Sequence, residues 1–253
     1  MGIIMDFFNR IAENTQYLNK SDNEILSYCI QNNEKVSDMK VQEVAQVLYT
    51  SPASVIRFCK KLGFSGFSEF KAALKLEAHR ESKKQVSEVN SIDFLKDINK
   101  TTQLIPEETI EEVLNLIHTK KRIELFAAGS SRTAANEFAK RLQLIKRPAY
   151  CYDDSTLMNI SARQLGEEDL VIALSISGET SLVVAAANMA KSRGATLVSI
   201  TNLGSNTLSD VADINLYVKS TRFTKEEIEV RSRVQLLILC EYIFFRYLEW
   251  TIN

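Results

Sequence analysis

From residue 92 onward, short unbroken apolar runs alternate with helical patterns, and this alternation constrains the fold more than any other feature of the chain. The runs are residues 123–128, 149–152, 170–175, 196–201 and 214–218. Between them lie stretches with apolar residues three and four apart: 133–145, 156–165, 182–193 and 207–211. A strand with no polar alternation is buried on both faces. Strands of that kind separated by helices imply a parallel sheet with helices on both sides. Two helical stretches, 92–104 and 107–118, precede the first run, and residues 226–249 read as one long terminal helix. Turn residues are scarce, with 8 Gly and 3 Pro in 253 residues. An average chain has about 7% Gly and 5% Pro, so many-turned all-β sandwiches and Pro/Gly-rich linkers are excluded.

The first 79 residues follow a different rule. Their pattern is short helices with short connections. One helix starts around Phe7, Ile11 and Asn14. Ser21, with Glu24 three residues on, reads as a capping box before Ile25, Leu26 and Ile30. A third helix covers 41–49. A fourth begins at Pro52, capped by Ser51 and closed by Gly63, and a fifth covers 67–79. Residues 80–91 are polar and without apolar periodicity, so they read as a linker or as a helix end running into one. The expected organisation is an all-α domain over 1–79, a linker over 80–91 and an α/β domain over 92–253.

Residues 41–62 have the outline of a helix-turn-helix. On the second helix Val55, Cys59 and Leu62 share the core face, while Ser54, Arg57 and Lys61 lie opposite. A recognition helix presents its N-terminal residues to base edges, so Ser51, Ala53, Ser54 and Arg57 are the expected base readers. Lys60, Lys61, Lys71 and Lys75 are the expected phosphate contacts. The whole chain carries a formal net charge of only -1, so a double-stranded DNA partner must be attracted by this local basic patch.

Cys29, Cys59, Cys151 and Cys240 are far apart and form no CxxC, so neither a disulfide framework nor a metal site is suggested. The longest apolar run, 236–248, is broken by Glu241 and Arg246 and is short of the about 20 residues a bilayer needs. The expectation is a cytoplasmic protein with no membrane partner and no cofactor.

Two loops follow strands and precede helices, where ligands sit in α/β sheets. One is Gly129-Ser130-Ser131 and the other is Ser175-Ile176-Ser177-Gly178-Glu179-Thr180. Hydroxyls beside helix N-terminal amides make an anion site, and Gly129 and Gly178 allow close backbone approach. Neither loop is GxxxxGK[ST] or GxGxxG, so a nucleotide is not the natural ligand. A neutral, hydroxyl-lined cradle without a Lys suits a phosphomonoester such as a sugar phosphate.

SxSGxT after a buried strand, GSS after an earlier one and the strand 194–201 resemble the sugar isomerase (SIS) domain. The stretch from Ser51 through Lys71, SPASVIRFCKKLGFSGFSEFK, is similar to the helix-turn-helix of RpiR/MurR-type transcriptional regulators. The resemblance implies a flavodoxin-like SIS fold and a homodimer or homotetramer. It also implies DNA binding controlled by a phosphorylated sugar, at an operon for sugar uptake or catabolism. The family's ligand residues carry over to Ser130, Ser131, Ser175, Ser177 and Thr180. Two departures stand out. Ala127-Ala128 precede Gly129 where relatives often show Gly-x-Gly, and no His follows Asp153-Asp154.

SIS domains also occur in isomerases, which need a base beside the substrate carbonyl. The two histidines, His79 and His118, read as surface residues. Glu179 could face a ligand from its loop, and Glu226, Glu227 or Glu229 from the terminal helix. None has an acid partner by spacing. A fused DNA-binding module gives a sensor a purpose, so the expected protein is a regulator and not an enzyme, with a sugar-phosphate isomerase as the alternative.

Overall fold

The computed structural model describes residues 7–14, 17–83, 91–204, 206–225 and 228–252. The chain divides into two units. One takes Met1–Ile92 with Leu203–Ser205 and Arg222–Val230, and the other takes Asp93–Asn202, Asn206–Thr221 and Arg231–Asn253.

The N-terminal helices are α1 (Phe7–Asn14), α2 (Lys20–Gln31), α3 (Asn33–Asp38), α4 (Val41–Val47), α5 (Pro52–Lys61) and α6 (Phe67–Lys83). The cap of α2 lies two residues earlier than Ser21. Asn19 accepts from the Asp22 amide at 3.0 Å and Asp22 accepts from the Asn19 amide at 3.0 Å, so this pair makes the capping box. Ser21 is exposed and Glu24 is outside the box. The short helix α3 has no counterpart in the sequence reading. Its six residues are too few to show a period. Helix α6 runs on to Lys83, four residues past the expected end, and residues 84–90 of the expected linker lie outside the described residues.

The core of this unit is aromatic. Phe70 is fully buried and packs against Phe7, Phe58, Phe64 and Phe67 at centroid distances of 5.3–6.4 Å. Val55, Cys59 and Leu62 are also fully buried, on the face of α5 that their spacing selects.

The second unit contains α7 (Ser91–Gln103) from Asp93 onward, then α8 (Glu107–Thr119), β1 (Arg122–Ala127), α9 (Arg132–Leu144), β2 (Ala149–Cys151) and α10 (Ser155–Ala162). It continues with β3 (Asp169–Ser175), α11 (Ser181–Ser192), β4 (Thr196–Asn202), α12 (Thr207–Val211) and β5 (Ile214–Val218). The five strands form one parallel sheet in the order β2-β1-β3-β4-β5. Ile123, Leu125, Leu170, Ile172 and Leu174 face α8, α9 and the terminal helix. Phe126, Val171 and Ala173 face α10 and α11. Both faces are therefore covered, which is why the strands read as continuous apolar runs.

The expected terminal helix over 226–249 is corrected. A hairpin of β6 (Phe223–Lys225) and β7 (Ile228–Val230) precedes it, and α13 spans Val234–Ile252. Phe, Thr, Ile and Val concentrate in this hairpin and favour a pleated backbone over a helix. Glu229 lies on β7 and not on the helix, and Glu226 and Glu227 lie outside the described residues. Helix α13 buries Leu236, Leu239, Cys240, Ile243, Phe244 and Tyr247. The other apolar stripe, which includes Val234 and Phe245, stays partly exposed.

One charged group lies in the α10 side of the core. Glu124 on β1 is fully buried. Its Oε1 accepts from Arg122 Nε at 2.6 Å and from the Tyr152 hydroxyl at 3.2 Å, while Oε2 has no hydrogen-bond partner among the described residues. Arg122 and Tyr152 also reach Ser161 Oγ on α10, at 2.5 and 3.2 Å. Burial pushes the Glu124 carboxyl above its ordinary range, and Arg122 opposes this only in part. Folding thus favours protonation of this carboxyl more than the unfolded chain does. Stability from this site is fully present below the unfolded carboxylate pKa and is lost as pH rises through the raised folded value. Glu124→Gln removes the charge and nearly keeps the shape. Urea melts at pH 5 and pH 8 are expected to differ less for the variant than for the parent. An unchanged difference would refute this account.

Candidate ligand site and nucleic-acid surface

The sheet order places the two hydroxyl loops side by side. The chain leaves β1 to form β2 on one flank, then returns to form β3 on the other. The connection changes direction between β1 and β3, and such a switch point opens a crevice at the carboxyl ends of the strands. Ala127 pairs with Leu174, so loop 129–131 and loop 175–180 emerge at the same level.

The second loop is a compact hydroxyl cluster. Ser175 Oγ lies 2.9 Å from Thr180 Oγ1 and 3.5 Å from Ser177 Oγ, and Ser177 Oγ lies 3.5 Å from Thr180 Oγ1. The Gly178 and Glu179 amides donate to Ser175 Oγ and Ser177 Oγ, both at 3.2 Å. Gly178 has φ +66°, which turns the backbone sharply. In the first loop Ser130 is exposed and Ser131 is buried. Gly129, exposed at the start of the loop, also has positive φ.

These hydroxyls are not spent as helix caps. Thr180 and Ser131 stand at the N-cap positions of α11 and α9, and neither side chain makes a capping bond. Elsewhere Asn19, Ser51, Asp154 and Asn206 do cap α2, α5, α10 and α12. Helix α11 begins at the crevice with first-turn amides that no cap side chain occupies, a start that can hold an anion, while α9, on the opposite face of the sheet, continues from a tight turn over Gly129–Ser131 at the same crevice.

Glu179 is positioned away from base chemistry. Its carboxylate accepts from the Thr207 amide at 2.7 Å and the Thr207 hydroxyl at 2.6 Å. The Thr207 hydroxyl bond, then its amide bond, holds the Glu179 carboxyl below its usual range. It serves as a brace between the loops after β3 and β4. Asp154 accepts from the Thr156 and Leu157 amides at 2.6 and 3.1 Å, and Asp153 accepts from Asn136 at 3.1 Å. His118 is exposed, with Nδ1 3.2 Å from the Tyr247 hydroxyl. The His79 side chain lies outside the described residues. No group of three or more His, Cys, Asp or Glu among the described residues could hold a metal ion.

On α5 the predicted base readers form a chain. Ser51 Oγ accepts from the Ser54 amide at 3.1 Å, the two serine hydroxyls are 2.9 Å apart, and Arg57 donates to Ser54 Oγ at 3.1 Å. Ala53, Arg57 and Lys60 are exposed. The other lysines are engaged within the fold. Lys61 pairs with Asp22, Lys71 donates to the Met39 carbonyl at 3.1 Å, and Lys75 lies 3.6 Å from Asp38. The local basic excess seen in sequence is thus partly neutralised by acids from α2 and α3. Lys40 and Gln42 line a 520 Å³ cleft with Ile56, Ser68 and Lys71.

Residues 116–244 match the SIS domain. The chain belongs to the SIS domain family. Residues 5–81 match the helix-turn-helix domain of the rpiR family. The chain is thus a transcriptional regulator that joins an rpiR-type helix-turn-helix to a SIS domain. An uncharacterized HTH-type transcriptional regulator of Caldanaerobacter subterraneus is 28% identical, over 92% of this chain and 87% of its own. The HTH-type transcriptional regulator GlvR of Bacillus subtilis is 27% identical, over 95% and 94%. Among solved structures, the NanR protein of Vibrio vulnificus complexed with ManNAc-6P superposes with a TM-score of 0.58 at 24% identity. It covers 96% of this chain and 92% of its own. That likeness shows the fold of this SIS regulator. No helix among its described residues is long and apolar enough to cross a membrane.

Proposed function

We propose that this regulator binds operator DNA through α5, and that a phosphorylated sugar at the carboxyl ends of β1 and β3 controls the binding. The observation that carries this reading is the Ser175–Ser177–Thr180 hydroxyl cluster at the uncapped start of α11, level with the Gly129–Ser131 turn after β1. Ser130, Ser131, Ser175, Ser177 and Thr180, with the backbone at Gly129 and Gly178, form the phosphate cradle. Ser51, Ala53, Ser54 and Arg57 read bases, and Lys60, Lys61 and Lys71 contact phosphates. The reading assigns DNA binding to 1–79, a linker to 80–91 and sensing to 92–253. The protein works in the cytoplasm as a homodimer or homotetramer and controls a sugar uptake or catabolic operon. A sugar phosphate bound in the NanR structure supports the ligand class. The engagement of Glu179 with Thr207 argues against isomerase chemistry at this loop.

A DNA-shift titration of the chain on its own upstream region, with a panel of sugar phosphates, tests the division of labour. Arg57→Ala is expected to weaken DNA binding about 5- to 150-fold, the range for losing one base-reading arginine. Ser177→Ala is expected to keep DNA binding without sugar and to lose the sugar response. Equal loss of both by Ser177→Ala, or turnover of a sugar phosphate by the purified chain, defeats the reading.

A further inference from the structure

The cradle of hydroxyls is neutral, but a cation stands one residue beyond it. Arg132 follows Ser131 and is the first residue of α9. Helix α9 runs antiparallel to β1, so its first residue lies at the crevice end of the sheet. Asn136, one turn further along the same face, donates to Asp153 at 3.1 Å. That bond sets the β2–α10 turn against this face of α9. Arg132 therefore sits on the β1–β2 flank of the crevice, while the Ser175–Thr180 cluster sits on the β1–β3 flank.

The surroundings of Arg132 leave its guanidinium unused. It makes no hydrogen bond or ion pair among the described residues, and its Nε is out of reach of solvent. Asp154, its nearby acid, accepts the Thr156 and Leu157 amides on Oδ1, and Asp153 accepts from Asn136. The charge is nonetheless felt nearby. The Asp154 carboxyl is held below its ordinary range chiefly by the Leu157 and Thr156 amides and the Thr156 hydroxyl, and in smaller part by Arg132. Burial pushes the Cys151 thiol up to about 11 against the pull of the same arginine. A partly desolvated guanidinium whose buried Nε lacks a hydrogen-bond partner costs free energy, and its planar fork matches the paired oxygens of a carboxylate or phosphoryl group.

We propose that Arg132 selects the effector, and that the effector is a phosphosugar carrying a second anionic group, which pairs with this arginine across β1 from the phosphate cradle. The inference rests on the phosphosugar reading above and deepens it. The shared chemistry is a pair of anionic oxygens, supplied by a carboxylate or by a second phosphoryl group.

Calorimetric titration of the full chain tests it with two matched pairs. Glucose 6-phosphate against 6-phosphogluconate probes the carboxylate, and fructose 6-phosphate against fructose 1,6-bisphosphate probes the second phosphoryl group. At least one doubly acidic member is expected to bind tenfold or more tightly than its partner. Arg132→Gln is expected to bring that ratio to within about twofold and to leave the singly acidic member unchanged. Arg132→Lys, which keeps the charge without the fork, is expected to recover only part of the ratio, and thermal melts establish that both variants are folded. No preference in the parent, or equal weakening of both members by Arg132→Gln, overturns the role of Arg132 while the phosphosugar reading stands. Failure of all four compounds to bind the parent overturns both.

Discussion

Phe70→Ala is expected to lower the stability of the N-terminal unit by about 3–5 kcal/mol, the usual cost of removing a fully buried phenylalanine. Phe70 touches four other rings, and three of them enter from outside its own helix: Phe7 on α1, Phe58 on α5 and Phe64 on the turn after α5. Its loss therefore loosens the seating of α5 itself, because Phe58 is the inward face of that helix. Small domains have about 5–15 kcal/mol in total, so most of the margin would go. DNA binding is expected to vanish at 37 °C, while calorimetric phosphosugar binding by the second unit stays within twofold of the parent. Urea melts and a DNA-shift titration read both effects. Full DNA affinity in the variant would show that α5 is held by something other than this aromatic core.

The second large effect belongs to Gly178. A Cβ there would lie 1.9 Å from Asn206 Oδ1 and 2.5 Å from Asn206 Cβ, and φ is +66°. Neither contact can survive, and the backbone angle is one that L residues avoid. Asn206 cannot simply swing aside. Its Oδ1 accepts from the Ser209 amide at 2.9 Å and its Nδ2 donates to Thr201 Oγ1 at 3.1 Å, both in the interior. Gly178→Ala is expected to cost on the order of 2–5 kcal/mol, from strain, overpacking and a lost helix cap together. Phosphosugar binding should be lost with it. Gly129→Ala is the control. Gly129 also has positive φ, but a Cβ there meets nothing within 4 Å, so only the backbone strain of about 1–2 kcal/mol remains. Equal melting shifts for the two variants would contradict the packing argument.

How much of this was legible in the sequence depends on the range of the interactions involved. The alternation of apolar runs and helical stretches marked all five strands of the sheet, because burial on both faces leaves its mark on every residue of a strand. Val55, Cys59 and Leu62 were assigned to the core from spacing alone, and all three are fully buried. Local signals failed where two readings competed. Ser21 with Glu24 fits the usual capping pattern, but the structure builds the box from Asn19 and Asp22. The hairpin before α13 was hidden by residues 226–229, whose glutamates favour a helix in isolation.

The two loops could be read from their hydroxyls and glycines. Their adjacency could not, since only the sheet order puts β1 next to β3. The partner of Glu179 is 28 positions away at Thr207, so no spacing rule would find it. Lys61 and Asp22 are 39 positions apart, which is why the basic patch looked stronger in sequence than it is.

The tie between the loops after β3 and β4 bears on how quickly and how tightly an effector can be caught. Glu179, Thr207, the Leu208 amide on the Gly178 carbonyl and the Asn206 packing hold the hydroxyl cluster in one arrangement before anything arrives. A loop that must be frozen on contact charges each immobilised side chain about 0.5–1.5 kcal/mol against affinity. Here that entropy is surrendered once, during folding. On the proposed reading the cradle is a preset mould, and capture would be a matter of diffusion and fit. A motion provoked by such an effector would then move Gly178, Glu179, Asn206 and Thr207 together.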